Sequence, residues 1–568
     1  FSFVRDEFED GFYDDADGNP VDTSLYEHAR GSFRLDLDRW EVNYVYDYMD
    51  DQGTPAININ PNPAVREAND DDVFQTLINS EHSNRHEVHN HSLQIDLDMD
   101  AGTVSWVANY RDRKMGWVRD PDHGDGTINQ ATRPNVNINE TREDLVYHEF
   151  RFVSDGSRSL RWLLGADYYD ADTSESIVVL FPQLSAATLN RFNDPTGLVY
   201  DSFIDVQQES WAVFGQVEYS LDSVPLTLST ELRYAVDDIG GDVAIYQPYQ
   251  GCAQTLGQPP CTSVEDDQEY RNSPWTITAS WAFEELPGAM TAARAYAKVG
   301  TSYRHGGLNL SAGLPSNAFP VKPTYGEETS ITYEIGVKTG WLGDRLRLNA
   351  DVFLTEYEDF LNTTTNGCPE LCPYLDPETF QPLGFNPDGS RIETTQDGDD
   401  GLPSGTAFFI DNIGDVEAWG YEVEMDSSVS VGRGQLHASL GYSRQLGEIE
   451  SIRPDVSPAN VELEGERLNR LRPKQFKATT RYHYPLGGGL FRGVSAVAVA
   501  SWVVEKGGIQ ELPQAGGGDA RYLDDVSRLD IRVGLESRRW ELFIEGNNVT
   551  DEEYVLNENG AGVFRIND

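Results

Sequence analysis

Long hydrophobic runs are missing from this chain of 568 residues. A transmembrane helix needs about 18 or more consecutive apolar residues, and the longest apolar-rich stretch is VSAVAVASWVV, from Val494 to Val504. That stretch is too short for a spanning helix but matches the ~9–11 residues of a tilted membrane strand. Basic residues are scarce: 43 Lys and Arg stand against 95 Asp and Glu, a formal charge of −52. A field of that sign repels phosphate backbones and excludes nucleic acid as a partner. It also disfavours docking on an anionic membrane surface through basic patches. The opening residues Phe1-Ser2-Phe3-Val4-Arg5 have neither the basic nor the apolar region of a signal peptide. The mature N-terminus, or a larger N-terminal part, is expected elsewhere.

Cysteine is rare too. The four cysteines fall in two close pairs, Cys252 with Cys261 (CAQTLGQPPC) and Cys368 with Cys372 (CPELC), each in a polar loop containing proline. Neither loop supplies further zinc ligands, and CPELC lacks the CxxC redox spacing. Two local disulfides in an oxidising compartment are the expected state. Hydrophobic residues at 39% and aromatics at 11% describe an ordered chain.

What the chain has in abundance is alternation. In RLRLNADVFLTEY, Leu346, Leu348, Ala350, Val352 and Leu354 share one face, opposite Arg345, Arg347, Asn349, Asp351 and Thr355. A period of two marks a β-strand with unlike faces. SFRLDLDRWEVNYVYDYMDD, LQIDLDMDAGTVSWVANYRD and SLRWLLGADYYD repeat the unit, giving about twenty segments and no amphipathic helix of useful length. Short connections (Asp38-Arg39, Gly343-Asp344, Ser537-Arg538-Arg539) alternate with long polar ones (51–88, 170–205, 237–272, 358–406).

A soluble sandwich accounts for any one such strand. It does not account for the number of strands, the alternation of short turns with long loops, and the aromatics at the ends of the apolar face. Trp40, Trp162, Trp341 and Trp540 fall near short turns; Tyr44, Tyr46, Tyr48, Tyr168 and Tyr169 fall toward the long loops. Together these features predict an all-β fold, a transmembrane antiparallel barrel with aromatic girdles. Closure would satisfy every backbone group inside the bilayer. In WELFIEGNNVTDEEY, Trp540, Leu542 and Ile544 would then face lipid, and Glu541 and Glu545 a wet lumen.

Several segments resemble the barrel of TonB-dependent outer-membrane receptors. They are GNNVTDEEY (Gly546–Tyr554), TYEIGVKTGWLGDRLRLNADVFLTEYEDF (Thr332–Phe360), the pair WAVFGQVEYSL and LTLSTELRY within Trp211–Tyr234, YRHGGLN (Tyr303–Asn309), DNIGDVEAWGYEVEM (Asp411–Met425) and REDLVYHEFRF (Arg142–Phe152). They follow the family's order, and DEFEDGFYDD (Asp6–Asp15) is similar to its third barrel strand.

The resemblance implies a barrel of about 22 strands in the complete protein, about 20 of them here, with residues 1–568 as barrel. An N-terminal plug and the final strand would lie outside the chain. It implies uptake of a scarce extracellular solute, with a ferric siderophore as the default and haem, cobalamin or oligosaccharide as alternatives; a passive diffusion porin is the competing reading. The implied partners are TonB with ExbB and ExbD, acting through the plug, then outer-membrane lipid and a small extracellular ligand. A monomer, a bacterial outer-membrane location, no cofactor and no catalysis are expected. The motifs depart from the family at His305, which replaces a usual proline, and at Gly326-Glu327, where Pro-Glu is common.

Candidate site residues are few. Arg304 and His305 fall where the family's strand emerges toward the outer loops, facing either a ligand or a plug. Tyr246 and Tyr249, in YQPYQ, are candidates to stack on an aromatic chelate. In HSNRHEVHNH, His82, His86, His89 and His91 either enter a strand as polar residues or hold a metal through His89 and His91, which project together. DPDHGDG and DDADG read as solvated acidic loops, because the distal Glu of a calcium loop is missing. A barrel lipase or protease would need a nucleophile oriented by a base and a third group, and no recognisable spacing supplies one.

Overall fold

The computed structural model describes residues 1–8, 13–14, 20, 23–54, 74–75, 83–119, 136–156, 159–180, 198–246, 260, 262–309, 323–365, 408–453, 464–468, 471–488, 491–511, 521–552, 554–559 and 562–566. Twenty strands form one sheet. They are β1 (Ser2–Phe8), β2 (Ser24–Leu37), β3 (Trp40–Gly53), β4 (Ser83–Met99), β5 (Gly102–Arg119), β6 (Val136–Ser154), β7 (Leu160–Leu180), β8 (Leu198–Ser220), β9 (Leu226–Tyr246) and β10 (Thr262–Asn272). The second half holds β11 (Trp275–Ala282), β12 (Met290–Arg304), β13 (Glu328–Trp341), β14 (Leu346–Thr365), β15 (Phe408–Val431), β16 (Gly434–Ile452), β17 (Lys474–Pro485), β18 (Val494–Lys506), β19 (Val526–Ser537) and β20 (Glu541–Gly546).

Each strand pairs antiparallel with the next in sequence, from β1–β2 through to β19–β20, except that β10 and β11 both pair with β9 and not with each other. β10 and β11 lie end to end along β9, interrupted at 273–274, where Pro274 has no N–H to donate. Counted as one crossing, they leave nineteen passes of chain. At the short-turn end Leu342, Gly343 and Asp344 have φ of 58°, 71° and 60°. Thr291 steadies that turn, its hydroxyl donating to Asp344 at 3.0 Å.

The alternation read from the sequence sorts the two faces. Ile335, Val352, Leu542 and Ile544 are 59%, 49%, 65% and 83% exposed on one face, where lipid would cover them. Asn349 and Asp351 take the other, and Asn349 donates to Glu424 at 3.3 Å. Trp40, Trp162, Trp281 and Trp540 are exposed near the short turns. Tyr234, Tyr333 and Trp502 each lie eight residues up their strands. At a tilt of ~40–45° that is about 20 Å along the membrane normal, close to the ~25 Å apolar band of such barrels.

Two expectations change. Much of the presumed long loops is paired strand: β7 runs to Leu180, β8 starts at Leu198, and Asp170 sits opposite Glu209. Above the apolar band the outer face turns acidic, with Asp170, Asp172, Asp205 and Glu209, so alternation fades while the backbone ladder persists. Tyr169 does not join the outer girdle. It is on the inner face with Asp167, whereas Tyr168 pairs with the exposed Trp211.

Among the described residues, well-packed apolar clusters lie toward the long-loop end. Ile413, Val416, Ile449 and Ile509 form one, with Tyr357, Phe360, Ile452 and Leu468 against it. Ile204, Val243 and Ile245 form a second.

Candidate functional site

β12 carries Arg304 and His305 to the long-loop end. Its pairing with β11 stops at Thr276–Gly300, and the Trp275 amide donates instead to the Thr301 hydroxyl at 3.1 Å. Past that point only β13 holds β12, up to Arg304–Glu328. The chain then turns across the inner wall. The Tyr303 hydroxyl donates to Asp237 at 2.8 Å, and the Ser210 hydroxyl donates to the other oxygen of the same carboxylate. His305 places Nε2 3.2 Å from the Gln208 amide nitrogen and Nδ1 2.8 Å from the Gly306 carbonyl, with its ring beside Tyr270. If Nδ1 carries the proton, Nε2 is free to accept from Gln208.

Below this, Tyr147, Glu149, Tyr169, Gln208, Phe214 and Arg233 line an open concavity of about 360 Å³. Arg233 grips Asp167 with two hydrogen bonds and lies over Phe214 at 5.7 Å. Arg111 and Arg113 both donate to Glu143. The wall therefore offers phenols, one amide and arginines already matched to carboxylates, a surface suited to a large polar solute held by many weak contacts.

Residues 305–309 and 323–327 continue as a small hairpin, pairing Gly307 with Tyr325 and Leu308 with Thr324. Burial raises the Tyr325 phenol above its ordinary value, with Arg304 acting against the rise. Arg304 itself is exposed.

The structure thus brings Arg304 and His305 to the inner wall at the mouth. Tyr246 goes elsewhere: it shares its β9 face with Tyr234, edge-on to Phe203, while its neighbour Ile245 is buried inward. Tyr249 and all four cysteines lie outside the described residues, as does His82. His89 and His91 do project together from β4, but toward the outer face, where each ring lies within hydrogen-bond distance of a tyrosine. Nδ1 of His89 is 2.8 Å from the Tyr46 hydroxyl, and that of His91 is 2.8 Å from the Tyr44 hydroxyl. His86 is on the opposite face, across from Met115. Among the described residues no three His, Cys, Asp or Glu side chains converge as a metal site.

Sequence reasoning missed Arg233, Asp237, Tyr270 and Tyr303. The inner-face alternation of β9 would have marked Arg233 and Asp237; nothing local marks Tyr303, whose contact depends on β12 leaving its neighbour.

The TonB dependent receptor-like, beta-barrel family matches residues 21–549. The chain belongs to this family. Such receptors are transporters rather than enzymes, they work with TonB on small ligands, and they place this barrel in the bacterial outer membrane. Solved structures agree on the fold. The ferric yersiniabactin uptake receptor FyuA from Yersinia pestis superposes with a TM-score of 0.69 at 13% identity, covering 99% of this chain and 71% of that one. The closed form of the ferric-catecholate import receptor Fiu from K12 E. coli gives 0.65 at 14%, covering 100% and 75%. The copper transporter OprC gives 0.60 at 12%, covering 98% and 70%. Identities this low establish architecture and leave the cargo open.

Proposed function

We propose that this receptor takes up a ferric siderophore, captured at the outer mouth and drawn inward with energy from TonB, ExbB and ExbD. The observation that carries the reading is the composition of the mouth. Tyr147, Tyr169 and Arg233 line the concavity just below it, and Tyr303 and Tyr270 stand at its edge against Asp237 and His305. Phenols and charge-matched arginines suit a bulky, hydrogen-bonding chelate, and several of the structural neighbours carry siderophores by name. Arg304 and His305 are the proposed ligand-facing residues from the strand end, and Tyr249 joins them from its loop.

In this reading residues 1–568 are one barrel, working as a monomer in outer-membrane lipid with a plug domain filling the lumen. No covalent step is needed; capture and gated passage suffice. The test is growth of a receptor-deletion strain under iron limitation, with one purified siderophore supplied at a time. Loss of growth on a particular ferric siderophore, restored by the intact gene and weakened by Arg304→Ala with His305→Ala, supports the reading. Growth unaffected on every siderophore but lost on haem, cobalamin or an oligosaccharide overturns the cargo.

A further inference from the structure

GGLN (Gly306–Asn309) and DNIGD (Asp411–Asp415) meet in space at the mouth. Gly306 and Gly307 let the hairpin lie against its neighbours: a Cβ on Gly306 would overlap the Tyr270 hydroxyl and the Tyr325 carbonyl, and one on Gly307 would stand 2.6 Å from the Tyr325 hydroxyl. Asn309 then binds the Ile410 backbone as another strand would, donating to its carbonyl at 2.9 Å and accepting from its amide at 2.9 Å. Asn412 takes the other end. Its Oδ1 accepts the Gly326 amide at 2.7 Å, and its Nδ2 donates to the Asp359 carbonyl at 2.9 Å and reaches the Glu327 carbonyl at 3.1 Å.

The strands are shaped for this. β14 bulges between Tyr357 and Leu361, with Asp359 at φ 55°, which turns the Asp359 carbonyl toward Asn412. β15 bulges beside it at Gly414, φ 145°, where any Cβ would overlap the Ser451 carbonyl. Only glycine fits such a position. Asn309 and Asn412 are 3% and 5% exposed. A swinging lid is built from segments with few buried contacts and solvated hydrogen bonds; this hairpin has the opposite character.

We propose that Asn309 and Asn412 are positioning residues that fasten the 305–309/323–327 hairpin to β14 and β15, fixing Arg304 and His305 as a stationary wall of the solute path. Motion during uptake then belongs to other segments. The fastening is made by the hydrogen bonds of these two amide side chains and holds whatever the cargo.

The test is amide hydrogen exchange by mass spectrometry on the full-length receptor in outer-membrane vesicles, together with the rate at which diethyl pyrocarbonate modifies His305. In the wild type the Gly326 and Ile410 amides should exchange as slowly as β9 amides. Asn412→Ala should speed exchange at 323–328 and modification of His305 at least tenfold, leaving β9 unchanged. Asn412→Asp keeps the acceptor for Gly326 and should fall between the two. Wild-type exchange at open-loop rates overturns the proposal even if no variant folds. So does an Asn412→Ala protein whose hairpin exchange and His305 reactivity match the wild type.

Discussion

Replacing Ile335 by arginine tests which face of the sheet meets lipid. Ile335 is 59% exposed on β13 and pairs with the outward Val352 and Ala297. It lies six residues from the short-turn end at Trp341. With a rise of about 2.4 Å per residue along the normal, that is roughly 14 Å up, near the middle of a ~25 Å apolar band. Arginine at the midplane of such a barrel costs about 2–4 kcal/mol. At 1.4 kcal/mol per tenfold, the folding equilibrium should fall by ~30-fold to nearly 1,000-fold.

Asn349→Arg is the control. Its side chain points to the inner face and donates to Glu424, so the new cation meets a carboxylate and water, and the change should stay within about 1 kcal/mol. Reversible urea unfolding in lipid vesicles, followed by tryptophan fluorescence, measures both. Equal losses, or a larger loss at Asn349, would refute the assignment of faces.

Three further outcomes are expected. Cysteines placed at Asp17, Asp125 and Asp400 should react with an impermeant maleimide on intact cells, whereas one at Arg538, in the short turn between β19 and β20, should react only after the outer membrane is opened; the reverse pattern would invert the barrel. Non-reducing peptide mapping should recover Cys252 linked to Cys261 and Cys368 to Cys372, and free thiols or a Cys252–Cys368 link would contradict local pairing. In planar bilayers the barrel alone, with a closing strand supplied, should form a large pore, while the complete receptor with its plug should conduct poorly; equal, large conductance favours a porin.

The fold was legible wherever the two faces of a strand meet different solvents. Leu346, Leu348, Ala350, Val352 and Leu354 could be sorted from Arg347, Asn349 and Asp351 by period alone, and the tryptophans beside short turns fixed which end was which. Legibility ended at the upper limit of the apolar band. Residues 170–180 and 198–205 read as loop because Asp170, Asp172, Asp205 and Glu209 erase the contrast between faces, yet the backbone stays paired. Tyr169 was misplaced although the period resolves it: counted up β7 from Trp162 and Leu164, Tyr168 points outward and Tyr169 inward.

The candidate site was half legible. Arg304 and His305 reach the mouth because the GGLN segment folds inward, a consequence of long-range contacts to Tyr270, Asn412 and Ile410 that no local pattern encodes. Tyr246 looked equivalent to the other loop tyrosines, and only the register of β9 against β8 separates its face from that of Arg233.

The most direct test of the central claim is ⁵⁵Fe uptake from the siderophore found in the growth screen. It should be measured in wild-type cells, in a receptor deletion and in a strain lacking TonB. Energised transport through this barrel predicts that uptake falls to background in both mutants, while the TonB-deficient cells still bind the ferric siderophore at their surface. Uptake that continues undiminished without TonB would contradict the account and assign the barrel to passive diffusion.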